Sequence, residues 1–415
     1  MKKLLFVFAF LVYGCAATME SKLNAVQNNF KTGDFESITT DLKTDDIKKQ
    51  NNLDLLINGT ALFHENKFSE SDSVFEEFNK RNLDESGTSF SREASGLLFG
   101  QSINSYKPYM MDSLFVSYYQ IWDLLAMKNF NTARVVINQS YIRQQKMSVE
   151  YEKLIDENKK QLSENSNISE FLDKNANDWM AFTDIMNPAL MYLSGIYFLN
   201  YGDFDNATLY LKRASGMMPD NSFIKQDLEL AQQRTRPQNI TWIFTEAGFA
   251  PRLHEKNASL FVPPVGLIQF TFSEPSFSSS TKTPSGSELL ANVNAMFMTE
   301  YNEYKINEIL RSYTSAVSKA TLQTIAYNKK NNYGPLLGVL SSVYTIASSN
   351  ADIRTWATLP QNIYVQRIVT NKTNLNKLDL DASIKNDIKT NENNLIYIRK
   401  TDKIVDTKLI PLTKK

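Results

Sequence analysis

The chain is poor in the residue types that most often carry chemistry. It has one cysteine in 415 residues, which excludes an intrachain disulfide. Only two histidines occur, His64 and His254, and neither has a histidine partner at i+3 or i+4. A histidine-rich zinc site is therefore excluded, whereas an oxygen-ligand calcium site is not. Glycine numbers 14, and neither a Gly-x-x-x-x-Gly-Lys phosphate loop nor a Gly-x-Ser-x-Gly nucleophile elbow is present. Charge of one sign does not dominate, because Lys plus Arg and Asp plus Glu both number 45. That balance argues against a general nucleic-acid binder. Beyond the first residues, no apolar run reaches the about 20 residues that span a bilayer. The longest, Leu336 to Ala347, is broken by Ser341 and Ser342. These absences predict a non-enzymatic chain with no catalytic residue, no metal and no cofactor.

What is present begins at the N-terminus, MKKLLFVFAFLVYGCAAT. Lys2 and Lys3 precede a short apolar run, Leu4 to Tyr13, and Gly14 supplies a small residue before Cys15. This three-part layout is that of a secretory signal, residues 1–14. Val12-Tyr13-Gly14-Cys15 resembles the lipobox of bacterial lipoproteins. The resemblance implies a diacylglycerol thioether on Cys15, cleavage after Gly14 and an N-acyl chain such as palmitate. Ala16 and Ala17 follow, with no Asp to mark inner-membrane retention. The expected location is the outer membrane, facing the periplasm, held by lipid rather than by a spanning helix.

The hydrophobic fraction of 42%, with 25 phenylalanines, is ample for packed cores. Internal repetition gives the fold signal. Residues 188–221 read PALMYLSGIYFLNYGDFDNATLYLKRASGMMPDN. Gly195, Phe198, Ala207, Leu211, Ala214 and Pro219 fall at the spacing of a tetratricopeptide (TPR) unit. Small residues at Gly195 and Ala207 let two antiparallel helices approach, and Phe198 and Leu211 fill the groove between them. Gly202-Asp203 supplies the turn, and Pro219 ends the second helix. Weaker copies carry Gly59, Leu62, Phe68 and Phe75, then Leu124, Phe130, Ala133 and Ile137, and a further turn lies in KTGDFESITTDL. Such hairpins cannot bury their apolar faces singly, so neighbours share one core. The polar stretch Gln144 to Asn165 is expected on the surface or protruding.

Near Arg236-Pro237 the period changes. Ile240 to Phe244, Val265 to Phe272, Asn362 to Thr370 and Asn394 to Arg399 read as strands, with helices over 288–330 and 336–351 between them. The fold class expected is mainly α: a TPR-like helical repeat domain over 15–235, then a smaller α+β domain over 238–405. Residues 406–415 form a loose tail. In the second domain Arg354, Trp356 and His254 are the candidates for a site. Each also has a structural reading, Arg354 as a brace at the start of a strand and His254 as an exposed loop residue. His64 reads as a surface or inter-helix residue, and the aromatics Tyr118, Tyr119, Trp122 and Trp179 as core or as a row that could bind sugar or peptide.

Several stretches together resemble an uncharacterised family of TPR-containing bacterial envelope lipoproteins. They are Ser105-Tyr106-Lys107-Pro108-Tyr109, NFNTARVVINQSYIRQQ, NPALMYLSGIYFLNYGDFDNA, TEAGFAP and DIRTWATLPQNIYV, within about residues 90–370. Where Ala247 stands, the family often has an acidic residue. The resemblance implies an envelope lipoprotein with a helical repeat domain and supplies no enzymatic activity. It also implies an association with lipoproteins that activate peptidoglycan synthases. The function expected is a lipid-anchored scaffold that holds a protein or peptide partner through the repeat domain. The alternatives are a regulator of peptidoglycan synthesis, or a small-ligand binder or enzyme using the C-terminal domain.

Overall fold

Four turns between helices share one local code. A residue with positive φ ends the first helix: Gly33 (83°), Asn66 (62°), Lys128 (59°) or Gly202 (73°). The next amide donates back to the carbonyl five residues earlier, as Asp34 N to Asn29 O (2.9 Å), Lys67 N to Leu62 O (3.0 Å), Asn129 N to Leu124 O (2.8 Å) and Asp203 N to Phe198 O (3.0 Å). This is Schellman-type termination, which satisfies the orphan carbonyls of a helix end. A phenylalanine then opens each second helix, at Phe35, Phe68, Phe130 and Phe204. Asp34, Asn129 and Asp203 also cap those helices with their side chains.

The computed structural model describes residues 19–44, 46–83, 106–174, 186–262, 266–328, 351–378 and 380–412. Cys15, Trp179 and the helix expected over 336–351 therefore lie outside the described residues. The hairpins are α1 (19–32) with α2 (Phe35–Asp41), α3 (Asn52–His64) with α4 (Phe68–Asn82), and α5 (Met110–Ala126) with α6 (Phe130–Glu164). After the short α7 (Ser166–Lys174) come α8 (Pro188–Tyr201) with α9 (Phe204–Met217), then α10 (Ser222–Gln232). Close approach within a pair depends on glycine. A Cβ on Gly59 would lie 2.6 Å from Phe75 Cε1, and one on Gly195 would lie 2.6 Å from Leu211 Cγ.

The chain then forms a five-stranded mixed sheet from β1 (Ile240–Ala247), β4 (Glu288–Asn292), β5 (Asn362–Val369), β6 (Asn394–Lys400) and β7 (Ile404–Pro411), in the order β4-β5-β1-β6-β7. Only β1 and β6 run parallel; the other neighbours are antiparallel. Period-two alternation divides its side chains. Trp242, Phe244, Leu395 and Tyr397 join the helices in one hydrophobic core that runs from Leu23 to Leu412. Ile243, Ile396 and Ile398 face the other way, under Leu375, Leu378 and Ile388. Leu375 comes from α12 (Lys372–Asn376), and Ile388 follows α13 (Ala382–Asp387). A separate ribbon, β2 (Arg252–Val262) with β3 (Gly266–Ser276), packs Phe270 and Phe272 on Ile309 and Tyr313 of α11 (Val293–Asn328).

The chain is thus mainly helical with a small sheet region. Of the helices in the first hairpin position, α3, α5 and α8 have no free face, whereas α1 buries only Leu23, Val26 and Phe30. α3 buries 11 of its 13 residues, α5 16 of 17 and α8 12 of 14. Second helices cover one side and the sheet covers the other, so the chain's own strands occupy the inner surface of the hairpin array.

Four expectations need correction. The loose tail over 406–415 begins inside a strand, because β7 pairs with β6 through Pro411 and buries Lys408 and Ile410. Of the two readings of Gln144 to Asn165, the surface one holds and the protruding one does not. The stretch continues α6, a single helix of 35 residues, which packs against α11 through Tyr151 Oη donating to Thr299 O (2.6 Å) and Asn158 Nδ2 to Glu303 O (3.0 Å). His254 lies in strand β2 rather than in a loop, and residues 288–292 form β4 before α11 begins.

Candidate functional site at the seam of hairpins and sheet

Where the hairpins meet the sheet, ionisable groups are buried in pairs. Glu246 on β1 is fully buried; Tyr119 Oη donates to its Oε2 (2.9 Å), as does Tyr397 Oη (2.7 Å). Arg399, its register neighbour on β6, is also fully buried and donates to Thr358 O (3.1 Å). Burial raises the Glu246 carboxyl, against the pull of Arg399 and the two hydroxyls.

A second group joins α3 to β7. His64 Nδ1 lies 2.8 Å from Asp406 Oδ2, and Lys408 Nζ lies 2.8 Å from the same oxygen. Lys408 also donates to His64 O (3.2 Å) and Asn66 Oδ1 (2.9 Å), and sits 4.8 Å from the centre of the Phe63 ring. Its ammonium therefore caps the C-terminal end of α3, where the helix dipole favours a cation. Burial pulls His64 down to about 4, although Asp406 opposes it. Burial works against the Asp406 charge, yet His64 and Lys408 hold its carboxyl below the usual range. Burial also lowers the Lys408 ammonium. The imidazole stacks on Phe35 (4.5 Å between ring centres) and meets Phe30 edge-on. His64 Nε2 is buried and has no hydrogen-bond partner among the described residues.

A third group sits on the opposite flank. Asp227 of α10 is fully buried and accepts from Tyr192 Oη, Trp242 Nε1 and Arg367 Nε, each at 2.7 Å. It ties α8, β1 and β5 to one carboxylate. At the far end of the bundle Glu300 of α11 accepts from the amides of Met110 and Met111 and caps α5. Burial pushes Glu300 up to about 8 and neighbouring Asp112 up to about 7.

Directly outside Lys408 lies a cleft of about 400 Å³. Asn66 and Phe68 from the α3–α4 turn and Leu125 and Lys128 from the α5–α6 turn form one wall, and residues 407–411 of β7 form the other. Among the described residues no cluster of three His, Cys, Asp or Glu side chains could hold a metal ion. No helix among them is long and apolar enough to cross a membrane.

The candidates read from sequence are placed differently. Gly195, Phe198, Ala207, Leu211 and Ala214 form the contact between α8 and α9, and Pro219 follows α9 in the turn to α10. Trp356 is 2% exposed and packs among Phe75, Phe115 and Tyr119, so it is a core residue and lines no open site. Arg354 holds Asp352 (2.6 Å), whereas His254 is half-exposed opposite Glu274 (3.7 Å). Sequence reasoning missed Asp406 and Lys408, because Asp406-Thr407-Lys408-Leu409-Ile410 shows no period-two alternation of apolar residues. Comparison with family models, curated proteins and solved structures finds no match.

Proposed function

We propose that the protein is a lipid-anchored envelope scaffold that holds a protein or peptide partner through its TPR-like helical domain. The observation that carries this reading is the repeated hairpin code. Four turns with positive φ, back-bonded amide and opening phenylalanine recur at Gly33, Asn66, Lys128 and Gly202. Glycine-mediated contacts at Gly59–Phe75 and Gly195–Leu211 repeat within two of the pairs. Stacked hairpins of this kind present extended docking surfaces. Here the inner surface is already filled by the sheet, so the docking surface moves to the hairpin turns, where the cleft beside β7 opens.

The anchor is Cys15, following Gly14, with a diacylglycerol thioether and an N-acyl chain that place the protein at the outer membrane facing the periplasm. Tethering raises the local concentration of the docking surface against other envelope proteins. Palmitate labelling of the full-length chain and its Cys15→Ala variant tests the anchor. The label should be present on the first and absent from the second; label persisting on the variant, or absent from both, contradicts it. Photocrosslinking from Lys128 in intact cells tests docking, with Val149 on the outer face of α6 as comparison. A defined adduct from Lys128 alone is the expected outcome, and adducts from Val149 alone overturn it.

A further inference from the structure

β7 is an edge strand of the five-stranded sheet. Its hydrogen-bonding phase follows from one bond. Leu412 N donates to Asn393 O (2.9 Å), one step beyond the register pair Pro411–Asn394. In an antiparallel ladder, mutually bonded pairs recur at every second residue. Ile410 opposite Leu395, Lys408 opposite Tyr397 and Asp406 opposite Arg399 therefore aim their main-chain groups at β6. Thr407 and Leu409 aim theirs at the free edge. Pro411 shares that phase and occupies a position where a missing N–H disturbs no pairing.

Exposed strand edges are normally covered or blunted. At Val405 the cover is the α1–α2 turn, since a Cβ on Gly33 would lie 3.4 Å from Val405 O. Beside Thr407 and Leu409 there is the cleft instead. Its ten lining residues include two lysines and no carboxylate. Lys408 is neutralised by Asp406, whereas Lys128 is exposed and forms no ion pair among the described residues. The opposite wall is apolar at Phe68 and Ala126, both partly exposed.

We propose that the cleft takes an extended peptide segment of a partner protein as an added strand on β7. This rests on the scaffold reading and names the partner's chemistry. The added strand exchanges main-chain hydrogen bonds with Thr407 and Leu409. Alternate apolar side chains meet Phe68 and Ala126, and one acidic side chain meets Lys128. Strand addition of this kind takes affinity from the main chain and specificity from alternate side chains. The wall over residues 407–411 accommodates roughly four or five residues at about 3.3 Å each.

The test uses the purified full chain as bait for a displayed library of random heptapeptides. The enriched peptide is then synthesised with capped ends and used as the probe. Enriched sequences should alternate apolar residues and carry an acid. N-methylation of alternate amides on one edge should weaken binding roughly tenfold, and on the other edge should not, because only one edge faces β7. Lys128→Glu should weaken binding by a similar factor, and Val149→Asp should not. Leu409→Pro, which removes an outward N–H, should do likewise; should it fail to fold, the methylated peptides make the same test on the unaltered chain. Absence of any enriched peptide, equal binding of both methylated forms, or indifference to Lys128→Glu overturns the proposal. If strand addition fails while Lys128 still crosslinks to a partner in cells, the scaffold reading stands without it. Loss of Cys15 labelling removes the location and leaves the cleft untouched.

Discussion

His64 and Asp406, 342 residues apart in sequence, meet at 2.8 Å inside the protein. The contact joins the end of α3 to the last strand, and its chemistry has a definite sign. His64 titrates near 4 when folded, against an ordinary value of 6.5. A lowered histidine contributes stability at neutral pH that is lost as pH falls from 6.5 toward 4, because the unfolded chain then takes up the proton. The stability difference between wild type and His64→Gln should therefore shrink across that window, by on the order of 3 kcal/mol. Urea unfolding at several pH values measures it, and a constant difference would contradict the burial of His64.

Glu300 predicts the opposite slope. Its folded carboxyl is raised to about 8 from 4.5. The folded state then holds the proton more tightly, so stability is greatest below 4.5 and is lost as pH rises toward 8. Glu300→Gln keeps an acceptor for one of the two amides, Met110 or Met111, without the charge. Its stability relative to wild type should improve from pH 4.5 to pH 8. A difference that does not change with pH counts against the buried cap.

Gly195 and Gly216 provide a matched pair within one hairpin. Alanine at Gly195 drives a methyl against Leu211 and should destabilise by about 1–3 kcal/mol. Adding Leu211→Ala should remove part of that penalty. At Gly216, on exposed α9, nothing lies within 4 Å of the added carbon, so alanine should stabilise by about 0.5–1 kcal/mol. Chemical denaturation of the three variants checks both signs, and a neutral Gly195→Ala would contradict the helix contact.

Asp227→Ala leaves Arg367, Tyr192 and Trp242 without their shared acceptor. Removing one member of a buried charge pair costs about 3–5 kcal/mol. The loss should appear in the helical circular dichroism and in tryptophan fluorescence at the same denaturant concentration, because Asp227 joins both parts of the core. Two separate transitions would show that hairpins and sheet unfold independently.

The elements legible in the sequence are those whose burial is uniform on one face. β1, β5 and β6 carry period-two apolar residues, and the α8–α9 pair carries small residues at the contact. What escaped were elements whose buried side is polar. Asp406 and Lys408 look like a solvated tail until His64, distant in the chain, supplies a partner. In β2, His-Glu-Lys-Asn hides a strand that is half-exposed along a two-stranded ribbon. Trp356 drew notice as an aromatic beside a charge, although Phe75, Phe115 and Tyr119 make it core. In the sequence, α8 is apolar around its whole circumference, which requires cover on both sides. That cover is the sheet.

The central claim is that the sheet fills the inner surface of the hairpins and leaves docking to the free edge of β7. Amide hydrogen exchange on the full chain, with and without the library-selected peptide, tests it most directly. The account predicts slow exchange of Lys408 and Ile410 throughout, and amides of Thr407 and Leu409 that exchange fast alone and slowly with peptide bound. Slow exchange at Thr407 and Leu409 in the free chain, or protection confined to the outer faces of α4, α6 and α9, would contradict it.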